Sequence, residues 1–210
     1  LAFAEYLRRY ASVAANAIIS REDLDQYEAI RELCDIKENP SSTEAEIKAI
    51  EKKLNDVNQR MSYVSEAGLL SRMNWWTAEY GLIGPLDNPR IFGAGLLSSV
   101  GESQQSLSAK VKKIPLDIHC LDYTYDITEP QPQLFVTPDF ESLYKVLDQL
   151  ADQMAFRRGG VYGLETAQKS RTVNTIELNS GLQISGLLEK FETDLDQPSF
   201  FKMSGPTQLS

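Results

Sequence analysis

Arg72-Met73-Asn74-Trp75-Trp76-Thr77-Ala78-Glu79-Tyr80-Gly81-Leu82-Ile83, followed by Arg90-Ile91-Phe92-Gly93-Ala94-Gly95-Leu96-Leu97-Ser98-Ser99, is the stretch on which the rest of the chain depends. It holds both tryptophans and one carboxylate, Glu79, at the end of an apolar helical run. Ser65 is placed to cap that helix and Gly81 to stop it. Leu69, Leu70, Met73, Trp76 and Tyr80 recur at three and four and share one side. Arg72, Trp75 and Glu79 share another. Pro85-Leu86-Asp87-Asn88-Pro89 turns the chain between residues 80–84 and 90–94, which read as a short hairpin. Gly93 and Gly95 allow backbone to approach closely. A carboxylate among aromatic side chains is costly unless it is paired or bound to metal. For Glu79 the plainer alternatives are a salt bridge to Arg72 or a helix end in solvent. By residue type alone, Trp75 and Trp76 read as core and Ser98 and Ser99 as helix caps.

Upstream, residues 1–18 form an amphipathic helix, with Leu1, Ala4, Leu7, Ala11, Ala14 and Ile18 at helical spacing. Ser20 caps a second helix striped by Leu24, Tyr27, Ile30 and Leu33. Thr43 with Glu46 makes a capping box for a third, with Ile47, Ile50, Leu54, Val57 and Met61 on one face. The last two helices read as a hairpin, because two to three heptads are short for a coiled coil. Downstream, 103–111 is a short helix and 114–138 irregular strands and turns, including Leu134-Phe135-Val136. Thr137 or Asp139 starts a long helix with Phe140, Leu143, Val146, Leu147, Leu150 and Met154 inward. At Arg157-Arg158-Gly159-Gly160 the texture changes. From Arg171 apolar residues alternate around an Asn179-Ser180-Gly181 turn, a pattern of antiparallel strands docked through Val161-Tyr162-Gly163-Leu164. The fold class is therefore mainly α with short β-hairpins, followed by a small all-β module.

The 210 residues suffice for one substantial domain, or one plus a module. With 21 Lys and Arg against 30 Asp and Glu, and no basic cluster, the chain lacks the face that nucleic acid or an anionic membrane requires. No run approaches a membrane span. Glu5, Arg8 and Arg9 interrupt what would be a signal peptide. Cys34 and Cys120 lie far apart in no metal spacing and read as reduced thiols of a cytoplasmic protein. His119 is the one histidine, and reads as structural. No Ser/His/Asp set, phosphate loop or Cys/His cluster can be assembled. The chain opens inside a helical pattern without Met and closes at Gly205-Pro206-Thr207-Gln208-Leu209-Ser210, so it is expected to be a fragment lacking sequence at both ends.

Trp75-Trp76-Thr77-Ala78-Glu79-Tyr80-Gly81-Leu82, then Phe92-Gly93-Ala94-Gly95-Leu96-Leu97-Ser98-Ser99-Val100-Gly101-Glu102, resembles the signature of the pterin-dependent aromatic amino acid hydroxylases. Tyr125-Asp126-Ile127-Thr128-Glu129-Pro130-Gln131-Pro132 resembles a further run of that family. The resemblance covers roughly residues 1 to 157 and is closest to phenylalanine-hydroxylating members. It implies a non-haem Fe(II) monooxygenase that uses tetrahydropterin and O₂ on an aromatic amino acid. It implies Glu79 as the carboxylate of a 2-His-1-carboxylate iron site, with both histidines on an upstream H-E-x-x-G-H motif absent from this chain. It further implies Trp75, Gly95 and Ser98 on the substrate side, Ser98 also beside an iron-bound histidine, and Tyr125 at the pocket mouth on the cofactor side. Asn74 stands where the family often has Tyr. Residues 1–158 would be the C-terminal part of the catalytic domain, with a helical hairpin inserted at 22–61, a linker at 159–170 and a partial β-meander at 171–210. Alone, the chain would bind no iron and hydroxylate nothing. Phenylalanine, tyrosine and tryptophan remain open as substrate. The rival expectation is a non-catalytic interaction or regulatory protein that keeps the scaffold without iron.

Overall fold

The computed structural model describes residues 2–125 and 129–210. Asp126, Ile127 and Thr128, part of the third family-like run, lie outside the described residues. Four helices come first: α1 (Ala2–Ala14), α2 (Arg21–Glu38), α3 (Glu44–Arg60) and α4 (Glu66–Asn74). A π-helical turn at Trp75–Glu79 follows, then β1 (Leu82–Ile83), β2 (Arg90–Ile91), α5 (Ala94–Ser98), α6 (Val100–Leu107) and β3 (Lys112–Pro115). After a 3₁₀ turn at Ile118–Asp122 come β4 (Gln133–Thr137), α7 (Phe140–Asp152), α8 (Ala155–Arg158), α9 (Gly160–Ser170), β5 (Val173–Glu177), β6 (Gln183–Asp194) and β7 (Gln197–Leu209). The chain divides into two compact units, one of Leu1–Ala17 and Leu69–Arg157, the other of Ile18–Gly68 and Arg158–Ser210.

In the first unit, a four-stranded sheet of order β2-β1-β4-β3 is flanked by helices. The β1–β2 pair is the expected hairpin, with Leu82 opposite Ile91. Both β1 and β3 also run parallel to β4, a pairing between segments too far apart in the chain for local pattern to disclose. Buried on every side, β4 carries the continuous apolar run Leu134-Phe135-Val136 that such a position demands. Asp139 caps α7 by accepting from the Ser142 N–H at 2.7 Å. Leu143, Leu147 and Leu150 of α7 are at most 1% exposed; each such side chain contributes about 1.5–3 kcal/mol on burial.

The inward face of α1 is not the expected one. Phe3, Tyr6, Tyr10 and Val13 meet the core, whereas Leu7 is 41% exposed. Two overlapping stripes compete on this helix, and the aromatic one removes more apolar area from water. Ser99, not a residue near 103, opens α6, its hydroxyl accepting from the Glu102 N–H at 3.3 Å.

In the second unit, α2 and α3 form the expected hairpin; Thr43 and Glu46 make the expected capping box of α3, and the expected cap Ser20 proves to be one half of a second box with Asp23. The stripe assigned to α2 is corrected: Tyr27 and Ile30 are exposed, and Ala29 is fully buried. The pair is laced by polar side chains, with Gln26 Nε2 donating to Asn58 Oδ1 at 2.7 Å. Strands β5, β6 and β7 pair antiparallel in that order, so the expected strands after 170 are present. Where 159–170 read as a linker, Gly160–Ser170 is a helix. Its Leu164 and Ala167 share a small core with Leu188 of β6, and that burial favours the helix over an open linker. Among the described residues no helix is long and apolar enough to cross a membrane.

Candidate functional site

The expected helix to Tyr80 changes register before it ends. Beyond Asn74 the backbone widens: the Tyr80 N–H reaches back to the Trp75 carbonyl at 2.9 Å, five residues away. Such π turns insert one residue into a helix and cluster at functional sites. The wider turn sets residue 75 beside residue 80. The Trp75 and Tyr80 rings stack at 4.4 Å, and Tyr125 covers the other indole face at 4.3 Å. Among the described residues the buried Trp75 indole N–H has no hydrogen-bond partner. Trp76 points the other way, fully buried, with its N–H donating to the Tyr123 carbonyl at 3.2 Å. The core expectation therefore holds for Trp76, while Trp75 belongs to the site's aromatic stack.

Glu79 closes the π turn and is half-buried. The start of α5 lies directly against it. A Cβ at Gly93 would fall 2.4 Å from the Glu79 carbonyl oxygen, and one at Gly95 would fall 3.3 Å from the Glu79 carboxylate. Only residues without a side chain let the two backbones meet here. The Ser98 hydroxyl donates to the Gly95 carbonyl at 2.7 Å and stays exposed. Trp75, Glu79, Gly95 and Ser98 thus form one contiguous patch, joined through the Tyr80 ring, which a Gly95 Cβ would approach to 3.1 Å.

The Glu79–Arg72 salt bridge does not form. Arg72 Nη1 donates instead to the Leu121 carbonyl at 2.8 Å. Among the described residues the Glu79 carboxylate has neither a cation nor a hydrogen-bond donor. The Tyr80 hydroxyl donates to Glu102 Oε1 at 3.2 Å, and burial, aided by that carboxylate, raises the phenol's pKa. Behind Tyr80 lies a small cavity of about 20 Å³, lined by Leu96, Glu102, Val111 and Leu134 among others.

His119 stands on the 3₁₀ turn, exposed and 3.1 Å from Asp122 Oδ2. Among the described residues no group of three His, Cys, Asp or Glu side chains could hold a metal ion. A half-buried, unpartnered carboxylate suits one position of a cation site; the described residues do not complete a 2-His-1-carboxylate set. Sequence reasoning missed Thr77 and Tyr6, which prove to be bonded beneath the turn. The one available signal was a hydroxyl residue inside an apolar helix, four residues after Met73.

The sequence model of the biopterin-dependent aromatic amino acid hydroxylases matches residues 64–198, and the chain belongs to this family. The match starts after the α2–α3 hairpin and runs past 157, a different span from the expected 1 to 157. Among relatives, phenylalanine-4-hydroxylase of Dictyostelium discoideum is 39% identical over 85 residues, 40% of this chain and 19% of that protein. Phenylalanine-4-hydroxylase of Vibrio cholerae is 36% identical over 83 residues, 39% of this chain and 29% of that protein. The solved phenylalanine hydroxylase of Legionella pneumophila overlaps 50% of this chain and 47% of its own, at 29% identity and a TM-score of 0.38. The chain spans less than a third of the length of the curated relatives it matches.

Proposed function

We propose that this chain is part of the catalytic domain of an iron- and tetrahydropterin-dependent monooxygenase that hydroxylates an aromatic amino acid, phenylalanine by preference. Membership of the family and the names of the relatives support the reaction class. The observation that carries the site is the Glu79 carboxylate, half-buried, without a partner among the described residues and held against Gly95. A cation is what offsets the cost of a carboxylate so placed. Glu79 would hold the iron, and both imidazole ligands would come from outside these 210 residues. When bound, iron with the pterin supplies the activation of O₂. The chain's own contribution is position. The Trp75–Tyr80–Tyr125 stack gives an aromatic wall, and the Gly95–Ser98 segment a backbone edge on the substrate side. Residues 1–158 would belong to the catalytic domain and 171–210 to an added β-module.

The test is Glu79→Gln in the full-length gene product, read by elemental analysis and by tyrosine formed from phenylalanine. Loss of stoichiometric iron and of hydroxylation is the expected outcome. Unchanged iron and unchanged turnover would place the carboxylate ligand elsewhere.

A further inference from the structure

Beneath the π turn runs a buried hydroxyl relay from α1. Thr77 Oγ1 donates to the Met73 carbonyl, one turn back in α4, at 2.5 Å. Tyr6 OH lies 2.7 Å from the same Oγ1. A threonine hydroxyl has one hydrogen, already engaged by Met73, so Tyr6 must be the donor. Thr77, Tyr6 and Met73 are all fully buried, so water does not replace either bond. A threonine hydroxyl bonded to the carbonyl four residues back competes with regular helical bonding and bends the helix. Here it does so where α-helix becomes π-helix, two residues before Glu79.

We propose that Thr77 and Tyr6 are positioning residues. Their relay holds the turn at 75–79 in its widened register and thereby aims the Glu79 carboxylate toward Gly95. The inference rests on the reading of Glu79 as the iron ligand. Without the relay, the turn relaxes toward an α-helix. Residue 80 then no longer sits beside residue 75, the Trp75–Tyr80 stack opens, and the carboxylate rotates with the register.

Thr77→Val keeps the shape and removes the hydroxyl, Thr77→Ser restores the hydroxyl, and Tyr6→Phe removes only the donor. Two readouts are taken on the full-length protein: ring-to-ring nuclear Overhauser effects between Trp75 and Tyr80, and Fe(II) affinity by titration. In Thr77→Val the ring-to-ring effects should disappear and iron binding should weaken by about 10- to 100-fold, as when groups orienting a ligand are removed. Thr77→Ser should recover both. Tyr6→Phe should shift both readouts the same way, and it serves as the test should Thr77→Val fail to fold. A Trp75–Tyr80 stack that persists in Thr77→Val and Tyr6→Phe would overturn the relay. A stack that opens while iron affinity stays unchanged, with Glu79→Gln abolishing iron, would overturn its positioning role. An open stack with iron retained in Glu79→Gln as well would instead refute the Glu79 assignment and leave the register lock standing.

Discussion

At the scale of single residues, the site is made by subtraction of side chains. Gly93 lies so close to the Glu79 and Gly81 backbones that a Cβ would come within 2.4 Å of the first and 2.6 Å of the second. Neither neighbour is the free end of a flexible side chain, so the backbone itself must move. Gly93→Ala is therefore expected to destabilise the first unit by about 3 kcal/mol, the upper range for overpacking, in a urea melt followed by tryptophan fluorescence; a loss within error of zero would contradict the close approach. The two cysteines differ for an equally local reason. Burial pushes the Cys120 thiol up to about 12, and Cys34 is exposed. Because the thiolate is the nucleophile, iodoacetamide at a mildly alkaline pH should label Cys34 alone in the native chain and both in denaturant, as counted by mass spectrometry.

At the scale of elements, charge and caps decide helix ends while packing decides helix faces. Glu5 in the first turn of α1 accepts from Arg8 at 2.8 Å and from Arg9 at 2.8 Å. Those guanidinium groups, Arg8 foremost, hold its carboxyl at about 2, well below the ordinary 4.5. A depressed carboxylate stabilises the fold above the ordinary value, and that contribution is lost as pH falls toward about 2. An NMR titration of the Glu5 carboxyl should find its midpoint there, and Arg8→Ala with Arg9→Ala should return it to the ordinary range. A wild-type midpoint near 4.5 would mean that the ion pairs do not persist in solution.

At the scale of the whole molecule, two cores stand apart in composition. One holds the aromatic residues around Trp76 and Phe135, the other a few aliphatic residues around Leu164 and Leu188. The carboxylate that carries the proposed chemistry lies in the first unit, on the same π turn as Trp76. With His119 as its only imidazole, the 210-residue chain offers Fe(II) one carboxylate against water. Substoichiometric iron after dialysis is expected for it, against one iron per chain for the full-length gene product. Stoichiometric iron in the 210 residues would require a ligand set other than the one proposed.

Helix ends were legible without any structure: Ser20, Thr43 with Glu46, Ser65 and Asp139, the last as one of two candidates with Thr137, act within three residues of themselves, and that range is what a sequence displays. The β-hairpins after 80 and 170 were legible for the same reason, and so was the family, whose signature is two contiguous runs. Faces and register were not. Phe3, Tyr6 and Tyr10 prevailed over Leu7 because the partner surface, absent from the sequence, had room for rings. β4 found β1 and β3 across long separations in the chain. The π turn follows from a bond between Tyr6 and Thr77, 71 positions apart, which no periodicity encodes. That Glu79 would lie beside aromatic rings and glycine followed from its neighbours in the chain. That Arg72 would turn away from Glu79 to Leu121 emerged with folding alone, because the choice between two partners for one guanidinium is settled by where the chain brings a distant carbonyl.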